Sequence, residues 1–184
     1  MSSKEQEQSK YERMWEHNNY RNNSPAFHEF FDEVTEIIKP GDSVIDFGCG
    51  TAFGLAEIGK THKVLGIDIA RNCLSVDVPF EQACIWEPMA ARADVGFCVD
   101  VMEHIPTDKV ELVIKEIMKC VPKCLFIAAL FHDNMGRLIG ETLHLTVKPA
   151  EWWHEIAAKY GTVSNIHGDW RATHFTLEAN DYQP

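Results

Sequence analysis

The sequence has no long apolar run and no leader-like segment. None of its 184 residues belongs to a stretch that reaches the roughly 18 consecutive apolar residues of a membrane-spanning helix. Its first ten residues, MSSKEQEQSK, contain no apolar segment of the kind that a secretion signal carries. From these two absences we expect a soluble, cytoplasmic protein.

Basic residues are scarce relative to acidic ones. Lys and Arg number 17 against 28 Asp and Glu, which gives a formal net charge of −11. This balance disfavours a uniformly basic face for nucleic acid and attachment to an anionic membrane surface. It leaves a local basic rim open, because net charge says nothing about patches. The expected partner is a small molecule, with nucleic acid and membrane disfavoured.

Paired CxxC motifs are absent as well. The six cysteines are Cys49, Cys73, Cys84, Cys98, Cys120 and Cys124. Without paired spacing they do not predict a zinc site. We therefore expect free thiols, as is usual in a reducing compartment.

Strand-like apolar segments alternate with helical ones along most of the chain. The predicted strands are 43–47, 63–67, 80–86, 94–99 and 124–130, followed by a closing pair at 162–167 and 172–178. Near-continuous apolar strands are typical of parallel sheets that are covered on both faces. The pattern predicts an α/β fold: a doubly wound, Rossmann-like, mainly parallel sheet with helices on both faces and an antiparallel C-terminal hairpin.

Three helices are marked by their ends. The first is predicted to start at Ser24-Pro25 and to stop at Pro40-Gly41. The second has Thr107 as its N-cap and stops at Pro122, and the third starts at Pro149 and stops at Gly161. In the last helix we expect the pair Trp152-Trp153 to pack in the core and not to form a stacking platform.

A glycine-rich loop follows the first predicted strand directly. It reads DFGCGTAFG over residues 46–54. The glycines let the backbone turn tightly and approach a ligand, and the helix that follows would offer its amino-terminal N–H groups. In open α/β sheets, ligands bind beyond the carboxyl ends of the strands. The loop predicts a nucleoside cofactor; the alternative is a strand-to-helix turn without a ligand.

The spacing of the loop indicates which cofactor it binds. A dinucleotide site has the pattern G-x-G-x-x-G, whereas this loop has G-x-G-x-x-x-G with Asp46 two residues before the first glycine. A carboxylate there repels a pyrophosphate but suits an amino group, which favours S-adenosylmethionine over NAD. Asp68, about 20 residues further on, is placed to bind two ribose hydroxyls. Its alternative role is to cap the next turn.

Three motifs in order resemble those of class I S-adenosylmethionine-dependent methyltransferases. They are the loop at 46–54, the segment VLGID at 64–68 and the segment DVGFCVDVMEHIP at 94–106. The resemblance covers roughly residues 40–130, and the closing hairpin also suits that family. It implies S-adenosylmethionine as the cofactor and S-adenosylhomocysteine as the product.

The resemblance assigns the cofactor contacts residue by residue. The implied cofactor-binding residues are Asp46, Gly48, Cys49, Gly50, Asp68, Ile69, Ile85, Trp86, Asp100 and Val101. Asp46 would lie near the methionine amino group, Asp68 on the ribose and Ile69 on the adenine. Cys84 departs from the family pattern, because an acidic residue often contacts the adenine amine at about that position.

Candidate catalytic residues follow the fourth strand. Glu103 and His104 lie at the ligand edge of the predicted sheet, and His144 lies in the loop after the fifth strand. His104 is a candidate general base, since histidine titrates near neutrality. The alternative is that Glu103 and His104 only pack and hydrogen-bond locally.

A metal site is a second interpretation of the same residues. Asp100-x-x-Glu103-His104 together with His144 resembles a pattern in ubiquinone-pathway O-methyltransferases and in small-RNA 3′-terminal 2′-O-methyltransferases. In those families the corresponding residues gather a divalent cation, which here would be Mg²⁺ or Mn²⁺. In the alternative interpretation His144 contacts substrate or backbone in a covering loop, and the site holds no metal.

These observations predict an enzyme that transfers a methyl group from S-adenosylmethionine to an O or N nucleophile of a small molecule. Two alternatives stay open: methylation of a nucleotide or nucleic acid, and a partner protein that binds the cofactor without catalysis. Tyr11, Trp15, Tyr20 and Arg21 either fold over the pocket or belong to a solvated helix with a few core anchors.

The length is that of one domain, which we divide into four parts. They are a lead-in or cap (1–23), the cofactor-binding core (24–130), a substrate-covering loop (131–148) and a final helix with hairpin (149–184).

Overall fold

Seven strands form one sheet in the computed structural model, which describes residues 3–22, 29–180 and 182. The strands are β1 (Ser43–Phe47), β2 (Lys63–Asp68), β3 (Phe80–Gln82), β4 (Val95–Val99), β5 (Lys123–Ala129), β6 (Gly161–Gly168) and β7 (Ala172–Ala179). Their order is β3-β2-β1-β4-β5-β7-β6. The first five pair in parallel, while β7 runs antiparallel to both β5 and β6. The predicted mainly parallel sheet with a closing antiparallel hairpin is confirmed.

Six α-helices accompany the sheet within the described residues. They are α1 (Lys4–Met14), α2 (Asn18–Arg21), α3 (Phe31–Glu36), α4 (Phe53–Ile58), α5 (Val110–Cys120) and α6 (Ala150–Ala157). In this part of the chain, every helix falls short of the length and apolarity needed to cross a bilayer.

Alternate residues of the central strands pack into opposite apolar layers. Ile45 lies in one buried cluster, and its neighbour Val44 lies in the other. Helices α5 and α6 cover the first layer with side chains such as Ile114 and Trp153, and α4 covers the second with Leu55. Both faces of the sheet are therefore covered, which explains why the strands are apolar on both sides.

Helix α5 shows why a stripe of apolar residues forms a helix here. Val110, Val113, Ile114 and Ile117 recur every three or four residues and are fully buried, while Leu112 on the other side is exposed. Burial of each of these side chains stabilises the fold by about 1.5–3 kcal/mol. Trp153 of α6 is also fully buried, as the sequence predicts.

The third strand is shorter than predicted. It ends at Gln82, and not at Trp86, because β3 lies at the sheet edge and pairs only with β2. The Ala83 N–H still donates to the carbonyl of Asp68 (3.0 Å), and a turn then closes between Cys84 and Glu87 (2.9 Å). This turn brings residues 84–86 to the ligand edge of the sheet.

One predicted helix start lies outside the described residues, and another is wrong. Ser24-Pro25 is not among the described residues; residues 29–30 form a turn and a bend, and α3 begins at Phe31. Thr107 does not cap α5, because it opens a separate 3-10 turn and α5 begins at Val110. Its hydroxyl instead hydrogen-bonds that of Thr146 (2.7 Å), which fastens the loop after β5.

The strand order reverses at β1. This strand pairs with β2 on one side and with β4 on the other, so the chain leaves it in opposite directions. The loops at the carboxyl ends of β1 and β4 therefore separate and leave a crevice, where ligands of doubly wound sheets bind.

Candidate active site

A cavity of about 280 Å³ lies in this crevice. Nine of the ten predicted cofactor residues line it: Gly48, Cys49, Gly50, Asp68, Ile69, Ile85, Trp86, Asp100 and Val101. Two of the three predicted catalytic residues, His104 and His144, line the same cavity. Asp46 and Glu103 do not line it and are buried beside it.

Two backbone hydrogen bonds join the glycine loop to the end of β2. The N–H groups of Gly48 and Cys49 both donate to the carbonyl of Ile67, at 2.7 and 3.0 Å. Gly48 has a φ of +81°, and a Cβ atom at this position would overlap the side chain of Val101. Only glycine satisfies both the left-handed backbone and the close approach of the β4 loop.

Asp68 caps the turn after β2 and also faces the cavity. Its carboxylate accepts hydrogen bonds from the N–H groups of Gly50 (3.1 Å) and Ala70 (2.9 Å), so it caps the turn and braces the glycine loop. It also faces the cavity. Burial raises its pKa to about 6, and the backbone hydrogen bonds oppose that rise.

Asp46 lies beneath the loop. It is buried, and this burial, followed by the nearby charge of Asp68, raises its pKa well above the usual range. An ammonium group in the cavity would offset part of that cost by Coulomb attraction.

The far end of the cavity is mainly apolar. Ile69, Ile85 and Trp86 line it, and Gln82 donates from its side-chain amide to the carbonyl of Ile69 (3.1 Å). Cys84 also lines it, and burial raises the pKa of its thiol to about 11. This end of the cavity is therefore apolar. It carries the neutral thiol of Cys84 at about the position where the resembling family often has an acidic residue.

Four polar side chains converge at the other end of the cavity. Asp100 follows β4 with a left-handed φ of +58°, Glu103 and His104 lie in the 3-10 turn Met102–His104, and His144 comes from the loop after β5. Each offers one ligand atom, and these four atoms lie within 4.8 Å of one another. We call these residues the acid–histidine cluster.

The two carboxylates of the cluster lie against each other. Glu103 is fully buried; its Oε1 accepts a hydrogen bond from the N–H of Ala129 (2.9 Å), whereas its Oε2 has no partner. Burial, followed by the charge of Asp100, raises the pKa of Glu103 well above its usual range. Two adjacent carboxylates repel each other unless a proton or a cation lies between them.

Both histidines of the cluster keep one ring nitrogen free. The Nδ1 of His144 lies 2.6 Å from the carbonyl of Phe131, which can only accept, so this nitrogen carries the proton and Nε2 keeps its lone pair. The Nδ1 of His104 has no hydrogen-bond partner. Burial lowers the pKa of His104 to about 4, so this ring is neutral near pH 7.

The amino-terminal helix covers the cavity. Tyr11, Trp15 and Tyr20 line it, and the rings of Tyr11 and His104 meet edge to face at 5.7 Å. The ring of Trp15 lies so close to Gly50 that a Cβ there would be 3.0 Å from it. Of the two interpretations of these aromatic residues, the structure supports the one in which they fold over the pocket.

Hydrogen bonds hold this cover at both ends. The guanidinium of Arg21 donates to the carbonyls of Asn72 (2.6 Å) and Cys73 (2.7 Å), just beyond β2. On α1, Lys10 forms a buried ion pair with Glu7 and reaches the carbonyl of Thr142 (3.4 Å) in the loop after β5. The amino-terminal segment therefore connects the loop beyond β2 with the loop after β5.

Several buried polar atoms at the cavity have no hydrogen-bond partner. They are the hydroxyls of Tyr11 and Thr51, the Nδ1 of His104 and the Oε2 of Glu103. A buried polar atom without a partner costs about 1–3 kcal/mol, so their concentration here indicates a place for ligands. The sequence motifs assign no role to Thr51 or Tyr11. For Tyr11, the sequence does hold a clue: it lies four residues before Trp15, a spacing that puts both rings on one face of a helix.

The chain matches the methyltransferase domain family over residues 14–166. No protein of curated function matches the sequence.

Solved structures of low sequence identity share the fold. The structure of DhpI with S-adenosylhomocysteine has a TM-score of 0.69 at 15% identity, over 96% of this chain and 96% of that one. The N-methyltransferase NodS from Bradyrhizobium japonicum WM9, also with S-adenosylhomocysteine, has a TM-score of 0.69 at 11% identity, over 95% and 99%. The small RNA methyltransferase HEN1 has a TM-score of 0.64 at 14% identity, over 88% of this chain and 26% of that one.

The family match spans most of the chain, and the cavity lies where enzymes of this fold hold their cofactor. This protein therefore belongs to the methyltransferase domain family, as a class I enzyme with S-adenosylmethionine as its cofactor.

Proposed function

We propose that this protein methylates a hydroxyl oxygen of a small-molecule acceptor, and that a divalent cation held by Asp100, Glu103, His104 and His144 binds that acceptor. The observation that carries the proposal is the acid–histidine cluster inside the cofactor cavity, with its ligand atoms within 4.8 Å of one another.

The donor set fits a cation. Glu103 and Asp100 are adjacent carboxylates, and the Oε2 of Glu103 has no partner. His144 is bound through Nδ1 to a backbone carbonyl, which leaves its Nε2 free, and the Nδ1 of His104 is also free. A backbone carbonyl on one ring nitrogen orients the other toward a metal. Two oxygens and two nitrogens suit Mn²⁺ or Mg²⁺.

Each cofactor supplies one element of the chemistry. S-adenosylmethionine supplies a methyl group on a sulfonium, and a divalent cation would polarise an acceptor hydroxyl and lower its pKa. The residues of this chain supply position, because an in-line displacement depends on how the two reacting atoms are held.

The cofactor residues position the methyl donor. The backbone of Gly48 and Gly50 would let the ligand approach closely, and Asp68 would accept hydrogen bonds from its ribose. Ile69 and Trp86 would cover the adenine with apolar surface. Asp46, buried nearby, favours the amino group of the methionine end through its charge.

A competing assignment makes His104 the general base. Its pKa of about 4 counts against this, because so weak a base removes a hydroxyl proton poorly near neutrality. Its free Nδ1 and its place in the cluster favour a ligand role.

The cover and the charge favour a small acceptor over a nucleic acid. Tyr11 of α1 closes one side of the cavity, and Phe131 and Leu143, from the loop after β5, close another. The chain carries a net charge of −11, which repels phosphates. The unpartnered hydroxyl of Tyr11 lies near His104 and is placed to donate to the acceptor.

The proposal is tested by turnover of small hydroxyl acceptors, including compounds with two adjacent hydroxyls, with and without EDTA. We expect turnover to be lost on chelation and restored by Mn²⁺ or Mg²⁺. His144→Ala should lower turnover about 10- to 100-fold, as loss of a metal ligand or its support does, and should leave S-adenosylhomocysteine binding unchanged. His62→Ala, just before the amino end of β2 and outside the cavity lining, is the matched control. Full turnover in EDTA, or turnover only on amines or RNA, would contradict the proposal.

A further inference from the structure

A second cluster of metal-type ligands lies outside the active site. Glu33 of α3, His167 of β6 and His174 of β7 offer three ligand atoms within 4.8 Å of one another. Both imidazoles meet the same oxygen: the Nδ1 of His174 lies 2.6 Å from the Oε2 of Glu33, and the Nε2 of His167 lies 3.0 Å from it.

Both ring nitrogens of His167 face hydrogen-bond acceptors, although a neutral imidazole has only one N–H to donate. Its Nδ1 lies 2.9 Å from the carbonyl of Asn165, and its Nε2 faces the carboxylate of Glu33. Both partners only accept, whereas a neutral imidazole carries one N–H and one lone pair. If Nδ1 donates to the carbonyl, a lone pair points at a carboxylate oxygen. A cation placed between the ligands would remove this conflict.

The orientation of His167 favours a metal ion. A backbone carbonyl on one imidazole nitrogen is the support that metal-ligating histidines use to present the other nitrogen. Two ligand atoms on a tetrahedral Zn²⁺ lie about 3.3 Å apart, given metal–ligand distances near 2.0–2.2 Å. The distances of 2.6 and 3.0 Å would have to open by about 0.7 and 0.3 Å, and a shift of Glu33, which is common to both contacts and 30% exposed, would open them.

We propose that Glu33, His167 and His174 form a second divalent-metal site, selective for a borderline transition ion such as Zn²⁺. Two imidazoles and one carboxylate are a common zinc donor set, with water as the fourth ligand. The site is separate from the acid–histidine cluster and does not depend on the methyltransfer reaction.

An ion here would fasten α3 to the C-terminal hairpin. Glu33 lies 134 residues before His167 and 141 residues before His174 in the sequence. The neighbouring ion pair between Arg171 and Glu29, at 3.5 Å, joins the same two segments. Metal binding would therefore cross-link distant parts of the chain and stabilise the folded state.

The test is a Zn²⁺ and Co²⁺ titration of the untagged full chain, followed by calorimetry and by the visible absorption of Co²⁺. His144→Ala removes a ligand of the acid–histidine cluster and serves as the background, in which the binding that is lost with His167 reports on the second site. In it we expect one equivalent of Zn²⁺, a tetrahedral Co²⁺ spectrum and an increase in Tm with added metal. Adding His167→Ala should weaken binding at least 10-fold, whereas adding His62→Ala should change nothing.

Two outcomes overturn the proposal. One is the absence of stoichiometric binding in the His144→Ala background. The other is binding that persists unchanged when His167 is replaced. Because His167 is about half exposed, its replacement leaves the core intact, and Tm without metal checks this directly.

Discussion

Replacing Asp68 by asparagine separates the charge of this residue from its shape. The carboxylate faces the cavity and also accepts hydrogen bonds from the N–H groups of Gly50 and Ala70. An asparagine keeps one oxygen acceptor at nearly the same place, so the turn retains part of its support. The ribose of the cofactor then loses a charged acceptor.

The expected loss follows from the strength of such hydrogen bonds. A hydrogen bond to a charged group contributes about 1.5–3 kcal/mol, so Asp68→Asn should weaken S-adenosylhomocysteine binding about 10- to 150-fold. The pKa of Asp68 is raised to about 6 by burial, so the free protein holds a proton there at pH 5 that binding must displace. Wild-type affinity should therefore fall about tenfold from pH 7 to pH 5, and the variant should lose most of this dependence.

Isothermal titration calorimetry at several pH values measures both effects, with exposed Asp77→Asn as the matched control. Thermal unfolding of each variant shows whether the loop has been disturbed. If Asp68→Asn binds as tightly as the wild type, or keeps the full dependence between pH 5 and pH 7, Asp68 does not contact the ribose as an ionised group.

Three further substitutions test the loop and its cover. Gly48→Ala forces a left-handed alanine against Val101. Since that backbone costs about 1–2 kcal/mol, calorimetry should show S-adenosylhomocysteine affinity reduced about 5- to 30-fold; unchanged affinity would show that the loop adapts. Tyr11→Phe removes a buried hydroxyl without a protein partner, so steady-state kinetics should show an acceptor KM raised about 2- to 12-fold while Tm stays the same or rises; a lower Tm with unchanged KM would make the residue structural. Arg21→Ala removes hydrogen bonds to four backbone carbonyls and one hydroxyl, and scanning fluorimetry should show Tm lowered by about 2–8 °C; no change would mean that the cover is held elsewhere.

Much of the sheet could be predicted because its signal is local. The strand 43–47 matches β1 at both ends, since apolar residues buried on both faces form an uninterrupted run. The third strand was overestimated because its apolar residues continue past Gln82 into a turn that faces the ligand edge of the sheet. Thr107 has the chemistry of an N-cap, but its hydroxyl bonds Thr146, a partner distant in sequence.

In the active site, too, the parts with a local sequence signal could be predicted and the parts that depend on long-range contacts could not. Short motifs fix the loop at 46–54 and the acid Asp68, because each lies at the end of a predictable strand. The proximity of His144 to the fourth-strand residues rested on resemblance alone, since it depends on how the loop after β5 folds back. The position of α1 over the cavity depends on long-range contacts such as that of Lys10 with Thr142, which no local pattern encodes. The division into four parts stays a prediction.

The most direct test of the account is Mn²⁺ binding at the acid–histidine cluster, measured by the electron paramagnetic resonance signal of free Mn²⁺. His167→Ala serves as the background, so that the second site does not contribute. We expect one Mn²⁺ per chain, with affinity reduced at least about 10-fold by His144→Ala or Asp100→Asn and unaffected by Asp77→Asn. Absence of binding, or equal binding by all four proteins, would contradict the proposed metal-assisted methylation.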